Sequence, residues 1–155
     1  MDLADLKKRY AVLVQQHQLP AFEALSEYFE IDKIEREPLF LLRDVRKIMI
    51  EKILEFTRLV EMLSNPSNAP SLFLHFIKQV SAEDRSLLDR TYKQFVGVEL
   101  ESLACDIRYN GEKESALIKE AFSLWVSLQG DLGTIIAFMK RNFHQTSTRR
   151  EKSYI

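Results

Sequence analysis

The sequence predicts an all-α fold, a single-domain antiparallel helical bundle of six or seven helices, on three observations. The 155 residues include only four glycines and four prolines, so helix breakers are scarce. Apolar residues recur at spacings of three and four along most of the chain. No segment alternates apolar and polar residues over the length of a half-buried strand, and Ala11-Val12-Leu13-Val14 fits the helical stripe around it better. A chain of this size buries roughly 68–70% of its unfolded surface and needs no metal or disulfide to hold a core. The expected division is a bundle over residues 1–143 and a flexible basic tail over 144–155.

Leu3, Leu6, Tyr10, Leu13, Val14 and His17 share one face of a first helix. Pro20 suits the first turn of a short second helix that carries Phe22, Leu25, Tyr28 and Phe29. Ile31 and Ile34 anchor the charged stretch that follows. Pro38 is expected to open the longest helix, to about Leu63, with Leu42, Val45, Met49, Ile53, Phe56, Val60 and Leu63 as its central stripe. Residues 64–70 form the clearest loop, and 71–80 a short segment apolar nearly all round. Ser81 caps a long helix to about Tyr109, with Glu83 and Asp84 in its first turn and Asn110-Gly111 as its stop. Leu88, Tyr92, Phe95, Val98, Leu103 and Tyr109 are read as its inward stripe. A helix over 112–129 ends at Gly130, and a last helix over 131–143 turns Leu132, Ile136, Met139 and Phe143 inward. Residues 144–155 lack periodicity and are read as a frayed tail.

Composition excludes several classes. With 46% hydrophobic residues the chain is not disordered as a whole, and a net charge of −1 excludes a globally basic nucleic-acid binder. Cys105 is the single cysteine, so no intramolecular disulfide forms and a reducing compartment is favoured. Acids occupy the N-terminus where a signal peptide carries base. The longest stretch without Asp, Glu, Lys or Arg, residues 62–77, holds two prolines and cannot span a bilayer. A cytoplasmic protein without membrane attachment is expected.

His17, His75 and His144 are widely spaced and make no metal-ligand motif, while the isolated glycines form no phosphate loop. No metal and no cofactor are expected. Cys105 reads as a small packed apolar residue.

Charges at apolar positions are the most informative feature. Glu99 and Asp106 fall within the arc of the 81–109 helix, seven residues and about 10 Å apart along the axis. Arg46 and Lys52 stand at the edges of the arc of the 38–63 helix. Either these four form interhelical ion pairs, or they line a polar pocket to which Tyr92 and Tyr109 add hydroxyls.

A second feature is surplus apolar surface. Phe40, Leu54, Leu72, Phe73, Leu74 and Phe76 exceed what one stripe per helix uses, so they lie between layers or form an interaction surface.

The third is charge asymmetry. From residue 140 onward Lys140, Arg141, Arg149, Arg150 and Lys152 face one acid, giving +4 against −5 for the rest. The terminal Ser153-Tyr154-Ile155 has the pattern of peptides captured by PDZ-type domains, a match that three residues reach by chance.

The expected function is a non-enzymatic helical protein-protein interaction or scaffold module, homo-oligomeric or a subunit of a complex. The alternatives are a ligand-binding or enzymatic bundle using Glu99 and Asp106, and a nucleic-acid accessory factor using the basic tail.

Overall fold

A computed structural model shows six α-helices and no strand among the described residues. Residues 2–34 and 38–152 are described, apart from the side chains at 68, 72 and 145–152. The helices are α1 (Leu3–His17), α2 (Phe22–Phe29), α3 (Leu41–Ser64), α4 (Ser71–Ile77), α5 (Ala82–Ile107) and α6 (Gly111–Lys152). Short 3-10 turns occupy Ile31–Lys33 and Pro66–Asn68.

The chain groups into two compact units. The first comprises Met1–Glu55 and Phe95–Val126, the second Phe56–Gln94 and Ser127–Ile155, so α3, α5 and α6 contribute to both. The first unit carries 17 acidic and 12 basic residues, a net −5; the second carries 6 and 10, a net +4.

In the first unit, the Asp2 side chain caps α1 by accepting from the Asp5 N–H at 2.7 Å. Leu6 and Tyr10 are the buried face of α1. The Tyr10 ring meets Phe22 edge-on at 5.6 Å, its hydroxyl donates to the Pro20 carbonyl at 2.9 Å, and burial pushes the phenol pKa up. Gln18 and Glu30 close α1 and α2 in the left-handed conformation, each N–H bonding back to the helix it ends. Leu25, Phe29 and Ile31 are buried with Val45, Met49 and Ile53 of α3, Phe95 and Val98 of α5, and Ile118, Ala121 and Trp125 of α6.

In the second unit, Val60, Leu63, Phe76, Leu88, Leu128, Leu132, Ile135 and Phe138 are buried. Ser81 caps α5 as its sequence position implies: the Asp84 N–H donates to Ser81 Oγ at 3.0 Å.

Several expectations are corrected. Helix α3 begins at Leu41, three residues after Pro38, and its Asp44 N–H bonds the Phe40 carbonyl at 3.2 Å. Phe40 stacks on Tyr109 with ring centroids 4.0 Å apart, a tertiary contact that fixes the chain ahead of the helix. Asn110-Gly111 does not end α5, which stops at Ile107; the Asn110 side chain accepts from the Lys113 N–H at 3.1 Å and caps α6 instead.

The two helices read over 112–143 are one. Gly130 and Gly133 are helical, because glycine in a helix costs only about 1 kcal/mol and does not itself stop an established one. The backbone of α6 is likewise helical through Lys152, so the sequence boundary at 144 is not a helix end. Nothing from 144 to 152 is Gly or Pro, and propagation needs no apolar stripe. Toward this end Ile135, Phe138 and Asn142 are buried with Leu132, whereas Phe143 is exposed: the seam advances by three, three and four residues from Leu132.

Among the described residues, one helical stretch, Gly111–His144, is long and apolar enough to cross a membrane by length and composition. The sequence reading looked for a stretch without charge and found none long enough, whereas this helix reaches that length with a few charges along it.

Candidate functional site

The first unit holds a buried charge centre built around Arg46. The α3 sequence places Arg46 beside Val45 and Met49 on the buried arc, and only 1% of it is accessible. Its Nη2 donates to Asp106 Oδ1 at 2.6 Å, its Nε to Glu114 Oε2 at 2.6 Å, and its Nη1 to Ser102 Oγ at 2.6 Å. Ser102 and Asp106 are one turn apart on α5, and Glu114 is in the first turn of α6, so one guanidinium ties three helices together. Burial alone would push the Arg46 pKa down, but its bonds to Asp106 and Glu114 outweigh this and raise it. Asp106, 42% exposed, is held below the ordinary carboxylate range by its bond to Arg46.

Glu114 was missed by the sequence reading and is the most buried acid in the centre, with a fully inaccessible side chain. The signal was present: it precedes Leu117 and Ile118 by three and four residues and Ala121 by seven, which places it on their arc. A negative charge is also favoured in a first helical turn. Arg43 Nε lies 3.4 Å from Glu114 Oε1, and its guanidinium covers the Phe40 and Tyr109 rings at 5.6 and 5.2 Å. Burial, and then the nearby Glu114 charge, push the Tyr109 hydroxyl up. The same two causes, in the same order, raise the pKa of the Cys105 thiol.

Of the four charges singled out in the sequence, the structure joins only Arg46 and Asp106. Among the described residues Lys52 is within ion-pair distance of no carboxylate, although its charge helps to lower the Glu30 pKa: its Nζ donates to the Tyr28 carbonyl in the last turn of α2 and lies 5.6 Å from the Trp125 ring centroid. A lysine beside exposed helix-end carbonyls satisfies one of them and complements the helix dipole. Glu99 is half-buried and takes no part in the Arg46 centre, and Tyr92 is half-buried in the second unit.

The Arg46–Asp106 pair makes stability pH-dependent with a defined sign. A depressed folded-state pKa contributes stability that is present above the unfolded value near 3.8 and lost as pH falls through the folded value. Asp106→Asn is therefore expected to flatten the loss of stability below about pH 4. Urea denaturation at a series of pH values checks this, and an unchanged acid limb contradicts it.

The apolar candidates scatter. Phe40 is partly exposed and borders a cleft of about 350 Å³ lined by Arg9, Val12, Leu13, Leu39, Phe40, Leu41, Leu42 and Tyr109. Leu54 is half-buried, and Leu74 is exposed. Phe73 is half-buried and meets Phe76 edge-on at 5.8 Å. Phe76 itself is core and unavailable as surface. The Leu72 side chain lies outside the described residues, as do the side chains of Arg149, Arg150 and Lys152 and the terminal Ser153-Tyr154-Ile155; Lys140 and Arg141 are exposed on α6.

The clearest apolar surface was not foreseen. On α5, Leu88, Thr91, Phe95, Val98, Ser102 and Cys105 are buried, a seam with alternating steps of three and four. Leu103, read as inward, belongs instead to a second stripe with Val96, Leu100 and Ile107, roughly 150° around the helix from the first. Leu100, Leu103 and Ile107 are 60%, 57% and 87% exposed. A helix apolar on two opposite faces is built to be covered on both. No protein-family profile, curated protein or solved structure matches the chain.

Proposed function

We propose that the chain is a non-enzymatic helical protein-interaction module, acting as a subunit of a complex or a homo-oligomer in the cytoplasm. The observation that carries this reading is the exposed stripe of α5, whose three large apolar side chains stand in one row on a regular helix. Isolated exposed apolar residues are ordinary, but a row at 3-4 spacing, continued by half-buried Val96 four residues earlier, matches the seam one helix presents to another. The Arg46 centre supports a structural framework: its carboxylates from α5 and α6 are bound to a guanidinium, an arrangement that braces helices. The cytoplasmic reading is supported by the single cysteine and by Asp131, which lies within the apolar stretch of α6 and pairs with Arg90 at 3.1 Å.

The test is sedimentation of the chain purified gently from its native source, beside Leu100→Glu/Ile107→Glu. The wild type is expected to travel as an oligomer or with a stoichiometric partner, and the double variant, with unchanged circular dichroism, alone as a monomer. A wild-type chain that is monomeric and alone at high concentration overturns the proposal.

A further inference from the structure

The charges along the α5 stripe narrow what can cover it. Val96, Leu100, Leu103 and Ile107 occupy the a and d positions of a heptad pattern. One edge of the stripe carries Glu99 and Asp106, seven residues apart. The other edge carries Gly97 and Ala104, both exposed. A Cβ built on Gly97 would meet nothing within 4 Å, so a neighbouring backbone can come close on that side. The surrounding unit is acidic, at a net −5.

A second copy of the chain is the first occupant to weigh. The 4-3-4 spacing reads the same from either end, so an antiparallel copy would pair all four apolar layers. The same arrangement brings the acidic edges of the two copies, Glu99 and Asp106 from each, against one another, which is unfavourable. A parallel copy sets each acidic edge against Gly97 and Ala104 and offers Glu99 no cation across the interface. A helix with apolar residues at matching spacing and Lys or Arg on its flank satisfies both the stripe and its edge.

Resting on the interaction-module reading above, we infer that the 96–107 face of α5 is a docking site for a basic amphipathic helix of another protein. The apolar row supplies affinity, and the Glu99 edge sets orientation and makes the association salt-sensitive. Asp106 keeps its bond to Arg46 and contributes through its exposed part.

The test uses the full chain and two synthetic helical peptides. One is made of leucine at 4-3-4 spacing flanked by lysine; the other has glutamate in place of every lysine. Fluorescence anisotropy is expected to show binding of the lysine peptide, weakening with salt, and at least tenfold weaker binding of the glutamate peptide. Leu103→Lys is expected to weaken binding of the lysine peptide by roughly thirtyfold. Its melting curve should match the wild type, since the side chain is exposed. Glu99→Lys should weaken binding several-fold, whereas Glu83→Lys, the same charge change in the first turn of α5, should leave it within about twofold. Equal loss in Glu83→Lys and Leu103→Lys would reduce the attraction to net charge and overturn the inference. So would equal binding of both peptides, or of neither. A concentration-dependent dimer of the wild type that Leu103→Lys dissolves would also overturn it, in favour of a second copy, while leaving the interaction-module reading intact.

Discussion

Arg46→Ala is expected to lower the unfolding free energy by about 3–5 kcal/mol, a large part of the total for a chain this size. The cost comes from what the substitution leaves behind. Glu114 has no solvent access, and after truncation its only remaining cation in the centre is Arg43, whose Nε stands 3.4 Å away against 2.6 Å for Arg46. Ser102 Oγ loses its partner as well, and a cavity opens where the guanidinium stood. Asp106 suffers less, because its partial exposure lets water replace the lost bond. Arg46→Lys should recover only part of the loss, since an ammonium cannot reproduce the fork that reaches three acceptors on two helices. The pairing of Arg46→Met with Glu114→Leu separates burial of charge from loss of packing: removing both charges while keeping volume should restore most of the stability. Trp125, the single tryptophan, lies in the first unit, so urea denaturation followed by its fluorescence reads that unit and circular dichroism reads all the helices. An unfolding free energy for Arg46→Ala within about 1 kcal/mol of wild type would contradict this.

Phe95→Ala should cost a similar amount, about 3–5 kcal/mol, by a different route. Phe95 is fully buried on the α5 seam, one heptad from Ser102, and truncation leaves a void that a close-packed interior closes only in part. Leu103→Ala on the same helix should stay within about 0.5 kcal/mol, because Leu103 is largely exposed. Fluorescence and circular dichroism melts of the two variants check the contrast directly. Comparable losses from both would contradict burial of the Phe95 face and exposure of the Leu103 face.

That contrast marks how far the sequence could be read. Both faces of α5 are apolar, and helical periodicity alone does not say which one the rest of the chain covers. The sequence reading merged them, putting Leu103 with Phe95. It singled out Arg46 and Asp106 as charges near an apolar arc, because a charge among core residues is visible in the spacing. It passed over Glu114 because that residue sits at a helix start, where an acid has a sufficient local reason in the dipole. Lys52 was read as part of an ion pair or of a polar pocket, yet it meets a helix-end carbonyl, an acceptor that backbone position creates and no side-chain pattern announces.

The opening observation, apolar residues at spacings of three and four with few breakers, by itself determined that the chain is all-α. Helix period and capping are local properties, set within about four residues by sterics and hydrogen bonding. The near-balance of charge also acquires a location: the −5 and +4 that seemed to divide body from tail equally describe the two compact units. Only the tertiary structure decided that Arg46 bonds acids from two other helices, that Gly130 lies within one continuous helix, and that one apolar face of α5 is left uncovered. Those outcomes depend on which helices meet, and that is settled by the summed burial and charge pairing of residues more than fifty positions apart.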